Sequence, residues 1–239
     1  MEVLNVKVFI IKKRVIYIFL IAVIVLISFL LLYNFYKVKE TFNRDIYYKG
    51  KTQENIIAFT CNVDWGGEYI PDMLNILKEN NTKITFFVTG KWAEKNPDLL
   101  KKMYYEGHEI GNHGYMHRDY GELSYELNKQ EIQKCQEIIN GILGKSSMYF
   151  APPSGSYNDN TIKACNELNY DIIMWSIDTI DWREDSSEEK IIERVLKKPE
   201  NSSIVLMHPT ERTVKALPKI IDSLKDRGFS IGNISDVLE

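Results

Sequence analysis

The residues with the plainest chemical potential are His113 and His117, in the stretch Gly111-Asn112-His113-Gly114-Tyr115-Met116-His117. Their spacing of four lets both imidazoles face one point from a helical or tightly turned backbone. That is half of a metal site, and it is equally what two histidines on an exposed turn look like. A divalent ion on two neutral imidazoles calls for a carboxylate as third ligand, and a catalytic ion keeps one position open to water. Other polar residues that could join them are Asn62 and Asp64, Ser154 after a pair of prolines, Asp178 and Asp181, and His208. A period of two places Asn62 and Asp64 on one face where their strand runs out.

The elements that would position these residues alternate. Residues 56–61, 84–88, 108–111, 148–150, 171–176, 204–207 and 229–231 read as short strands. Between them, helical spacing is expected over 69–79, 98–106, from Ser124 to Gly141 or Gly144, and over 159–168, 187–197 and 213–226. Seven strands alternating with helices imply an α/β fold with a parallel sheet, open or closed into a (β/α) barrel, whose chemistry sits at the carboxyl ends of the strands. Asp64 follows the first strand, His113 the third, Ser154 the fourth, Asp178 and Asp181 the fifth and His208 the sixth. Helix, strand and polar residue therefore obey one scheme.

Ahead of this domain, Val15 to Tyr36 contains no charged side chain in 22 residues. The run is long enough for a hydrocarbon core of about 30 Å. No small-residue cleavage site follows it, so an uncleaved transmembrane anchor is expected over residues 15–36, with a cytoplasmic head at 1–14 and a polar stalk at 37–53. Lys7 and Lys12-Lys13-Arg14 favour a cytoplasmic amino end and an extracellular main domain in the cell membrane, although Lys37, Lys39, Arg44, Lys49 and Lys51 follow on the other side. The first 36 residues carry four Lys/Arg and one Asp/Glu, leaving 26 against 32 and a net charge of −6 beyond them. Such an acidic domain is a poor nucleic-acid binder. Three cysteines, Cys61, Cys135 and Cys165, make no disulfide framework; Cys135 and Cys165 either bridge or stay as buried thiols.

In order and spacing, Asn62-Val63-Asp64, His113 to His117, Ala151-Pro152-Pro153-Ser154-Gly155, Asp178-Thr179-Ile180-Asp181-Trp182 and Leu206-Met207-His208 resemble the five motifs of polysaccharide deacetylases, the NodB homology domain of carbohydrate esterase family 4. The resemblance spans about residues 54–238. It implies a distorted (β/α) barrel of about seven strands and a divalent ion, usually zinc, on one Asp and two His, which by position are Asp64, His113 and His117. The ion would polarise an acetamide carbonyl and activate water for N-deacetylation of an N-acetylated glycan such as peptidoglycan or a chitin-like oligosaccharide. The proline motif, Pro153 and the Ser154 N–H, would hold the oxyanion, His208 would protonate the leaving amine, and Trp182 and Leu206 would line the acetyl pocket.

Two positions depart from the family. Asn62 stands where the general-base Asp is expected, and an amide does not accept a proton at neutral pH. Ala151 stands where an Arg normally pairs with that base and with the fifth-strand Asp, here Asp178. In the alternative register Asp64 is the base and the ion has no carboxylate; Glu68 or Asp181 are the substitutes for a missing base. Bland roles are open for the rest: Asp178 as a loop brace, His208 as a satisfied core histidine, the prolines as a rigid turn. Two functions follow: a metal-dependent N-deacetylase, slowed about 10²- to 10⁴-fold by the missing base, or a non-catalytic glycan-binding or scaffold protein on the same fold.

Overall fold

The computed structural model describes residues 12–41, 45–145 and 147–238, with side chains omitted over 34–41. Most of the expected cytoplasmic head, including Lys7, lies outside the described residues, as does Arg44. The chain divides into two units, Met1–Asn43 and Arg44–Glu239. The first holds α1 (Lys13–Thr41), apolar around its whole circumference and largely exposed along its described side chains, with a stretch at Lys13–Tyr33 long and apolar enough to cross a membrane.

The second unit is a curled parallel sheet wrapped by helices. In chain order it runs β1 (Ile46–Tyr47), β2 (Ile56–Val63), α2 (Ile70–Glu79), β3 (Thr85–Val88), α3 (Gly90–Lys95), α4 (Pro97–Tyr105), β4 (Glu109–Asn112), α5 (Tyr125–Leu143), β5 (Tyr149–Phe150) and α6 (Asp159–Leu168). It continues with β6 (Asp171–Ile173), β7 (Ile177–Asp178), α7 (Glu188–Lys197), β8 (Ile204–Met207), α8 (Glu211–Asp226), β9 (Ser230–Gly232) and α9 (Ile234–Leu238). The sheet order is β1-β6-β5-β4-β3-β2-β8-β7, with β9 added on β2, and these strand pairs are parallel. The arrangement is a curled half-barrel. Because the paired strands all run parallel, their carboxyl ends lie at one mouth.

Strand β2 organises both layers. Ile57, Phe59, Cys61 and Val63 point outward into the main core beneath α2 and α8, beside Met73, Leu77, Leu217 and Leu224, whereas Ala58 joins the inner core with Phe87, Ala151, Ile173 and Ile204. A strand buried on both faces reads as a continuous apolar run, as this one does. Helix starts are fixed by side-chain caps: Thr89 for α3, Ser124 for α5, the Asn158/Thr161 capping box for α6 and Thr210 for α8.

Part of the expected stalk is folded. Ile46 and Tyr47 pair with Ile172 and Ile173, so residues 46–47 form a strand of the sheet. The expected strand 171–176 is broken: β6 ends at Ile173, and the next pairing, of β7 with β8, begins at Ile177. Cys61, Cys135 and Cys165 are free and buried, so Cys135 and Cys165 do not bridge.

Candidate functional site

A cleft of about 390 Å³ opens at the carboxyl ends of the strands, lined by Asn62 from β2, His113 and His117 after β4, and Ser154 from the proline turn. Asp178 of β7, Trp182 beyond it, and Leu206 and His208 at the end of β8 line it as well. Trp65 and Trp175, which the sequence pattern did not single out, also line it.

One wall is built around Asp181. This residue is fully buried and accepts three hydrogen bonds, from the His208 backbone N–H at 2.7 Å, from His208 Nδ1 at 2.7 Å and from Thr213 Oγ1 at 2.6 Å. Nδ1–H donated to the carboxylate fixes the imidazole's orientation and turns its Nε2 edge away from Asp181. Thr213 lies in the first turn of α8, so the carboxylate ties the end of β8 to that helix. Asp181 is a positioning residue outside the cleft lining, and Glu68, exposed in the turn 67–69, is absent from the lining as well. Neither stands in for a base.

Asp178 lines the cleft, and its Oδ1 accepts the Ile180 N–H at 2.8 Å. Burial raises its carboxyl above the usual range, while that N–H and nearby His208 work in the opposite sense. The bond closes a turn that holds Ile180 at φ +51°, a rare conformation for a β-branched residue. Ser154 at φ +55° and His117 at φ +53° share that left-handed region at the cleft. Backbone strain of this kind collects where a site must be held in shape. Pro153 is buried under Ser154 and does not line the cleft.

The other wall is different. His113 is 1% exposed and donates Nδ1–H to the Ala151 carbonyl at 2.6 Å, which leaves Nε2 as a free lone pair. Burial, reinforced by neighbouring His117, drives its pKa down to about 3, so the ring is neutral at physiological pH. The His113 and His117 ring centroids are 5.2 Å apart. As a two-imidazole set they suit a metal ion.

The expected carboxylate does not join them. Asp64 is absent from the cleft lining, and its Oδ1 accepts Thr89 Oγ1 at 2.8 Å. Among the described residues no group of three or more His, Cys, Asp or Glu side chains is arranged to hold a metal ion. The reason is local. Strand β2 ends at Val63, so its alternation stops there, and the chain bends through Asp64-Trp65 into Gly66. Asn62 keeps the inward face; Asp64 is carried to the N-cap of α3. Of the expected ligands Asp64, His113 and His117, the structure brings together the two imidazoles and leaves Asp64 on Thr89, and this donor set does not fit a three-ligand zinc centre.

Asn62 is 5% exposed, and its Oδ1 has no hydrogen-bond partner. A buried acceptor left unpaired costs about 1–3 kcal/mol, which a ligand donor in the cleft would recover. Ala151 is 3% exposed, its methyl packed in the inner core where the resemblance calls for an Arg head group.

Comparison with known proteins agrees with the fold. Residues 49–173 match the family described as polysaccharide deacetylase. The uncharacterized protein YlxY of Bacillus subtilis is 38% identical over 80% of this chain and 60% of its own length. A peptidoglycan-N-acetylglucosamine deacetylase of Bacillus cereus is 37% identical over 67% of this chain and 60% of its own. The chain thus spans about 60% of the length of these two curated relatives. Among solved structures, BA3943 of Bacillus anthracis, described as a CE4 family pseudoenzyme, superposes with a TM-score of 0.79 at 36% identity, covering 82% of this chain and 70% of that one.

Proposed function

The chain belongs to the polysaccharide deacetylase family, and from that premise we propose that it is a non-hydrolytic member, which holds N-acetylated cell-wall glycan in its cleft without cleaving the acetamide. Residues 15–36 would anchor it in the cell membrane as a single span, with the main domain outside.

The observation that carries this reading is the state of β2's carboxyl end. Asn62 offers an amide where the family's base is a carboxylate, and Asp64 is engaged with Thr89 outside the cleft. An N-deacetylase must activate water and stabilise an oxyanion. Among the described residues no carboxylate stands at Asn62's place on β2, and no three His, Cys, Asp or Glu side chains are arranged to hold a metal ion for the first. What remains suits binding: a concave, partly aromatic cleft with an unpaired amide. The similarity to a described pseudoenzyme supports the same reading.

A slow N-deacetylase is the second reading, favoured by the His208–Asp181 pair and the two cleft imidazoles. The two part in one experiment. Full-length protein in detergent is incubated with peptidoglycan and with N-acetylated chito-oligosaccharide, zinc added, and both sedimentation with peptidoglycan and free-amine release are followed. Retention with no amine above the protein-free rate is expected. Amine release that disappears in His113→Ala would overturn the proposal.

A further inference from the structure

Trp65 lies one residue beyond the misplaced Asp64 and is 45% exposed, yet it lines the cleft. Its indole is parallel to the His208 imidazole, with centroids 6.1 Å apart and an interplanar angle of 4°. The loop that carries Trp65 is seated by its backbone. Gly66 adopts φ +73°, and a Cβ there would sit 2.1 Å from the Pro209 carbonyl oxygen. The loop after β2 is therefore seated directly on the residue that follows His208, which no side chain larger than hydrogen permits.

Resting on the glycan-binding reading above, we infer that Trp65 is the platform on which a sugar ring of the bound glycan stacks. A pyranose has a flat face of C–H groups and a rim of hydroxyl and amide groups. An indole lying parallel to the His208 ring, on a loop seated against Pro209, offers that face a flat apolar surface. Asn62, nine-tenths buried with its Oδ1 unpaired, lines the same cleft, and a small side-chain shift would let its amide meet an O–H or N–H of that rim. No Lys or Arg lines the cleft, and Asp178 supplies its carboxylate. A neutral N-acetylhexosamine ring therefore suits it better than a sugar bearing a carboxylate. Trp65 thus takes over, as a binding surface, the loop position that would otherwise serve chemistry.

The test is titration calorimetry of the full chain in detergent with tetra-N-acetylchitotetraose, and with a muramic-acid-containing disaccharide for comparison. The variants are Trp65→Ala, Trp65→Phe and Trp182→Ala. Trp65→Ala is expected to weaken chitotetraose binding about tenfold or more, as buried tryptophans at contact centres do, while Trp65→Phe, which keeps a flat ring, restores most of the affinity. Tighter binding of the neutral ligand is expected. If Trp65→Ala binds within about twofold of wild type while Trp182→Ala does not, the platform is elsewhere: the inference fails and glycan binding stands. If the unmodified chain binds neither ligand, both fail together.

Discussion

The two walls of the cleft have met different fates. On the β8 wall, Asp181, His208 and Thr213 form a closed set in which both carboxylate oxygens are used. On the β2 wall, Asn62 has a partnerless oxygen, Ala151 is packed into the core, and Asp64 faces Thr89. A carboxylate that braces the start of a helix cannot be lost without leaving buried donors unpaired. A base that serves only water activation can be. The survival of His208 and Asp181 is thus accounted for by stability, and it does not by itself argue for turnover.

Breaking the β8 wall should have the largest effect. Asp181→Ala strands three donors and is expected to cost about 3–5 kcal/mol in denaturant unfolding; a cost below about 1 kcal/mol would mean that the wall is not structural. Next comes the seat of Trp65. Gly66→Ala places a methyl against Pro209 in a left-handed conformation and should cost about 1–3 kcal/mol, with glycan affinity falling in step.

The buried histidines flanking β4 respond to pH instead. His113, with a folded pKa of about 3, and His108, held near 4 by burial, both lie below the ordinary histidine value of 6.5. Below pH 6.5 the unfolded chain binds protons that the folded chain refuses, so the stability these neutral rings confer is complete above pH 6.5 and is lost as pH falls toward 4. Glu109, whose carboxyl is raised by burial, acts in the opposite sense. Comparing the wild type with His113→Gln isolates the histidine: the variant's stability should fall less steeply between pH 6.5 and pH 4. The smallest effect on stability is expected from Asn62→Ala. It removes an unsatisfied group, so unfolding should shift by less than about 1 kcal/mol while glycan affinity drops severalfold.

Much of the sheet was legible because a two-sided buried strand leaves a continuous apolar run, as in residues 56–61 and 204–207. Strand β1 was not, since two residues become a strand only through Ile172 and Ile173, more than a hundred positions away. Helix α3 was missed because its six residues are too few for a period, although Thr89 caps it. Most of the site followed from polar residues at strand ends. Asp64 lies apart from the two histidines because the strand period stops at Val63, where the chain bends. Trp65 and Trp175 carried no signal in isolation, because a tryptophan beside a strand end is more often core than cleft.

The measurement that bears most directly on the damaged wall is zinc titration of the purified full chain alongside Asp64→Asn and His113→Ala. Weak zinc binding that Asp64→Asn leaves unchanged and His113→Ala weakens further is the expected result, as two imidazoles without a carboxylate would give. Tight, stoichiometric zinc lost in Asp64→Asn would contradict it, returning Asp64 to the cleft and the protein to the metal-dependent deacetylases.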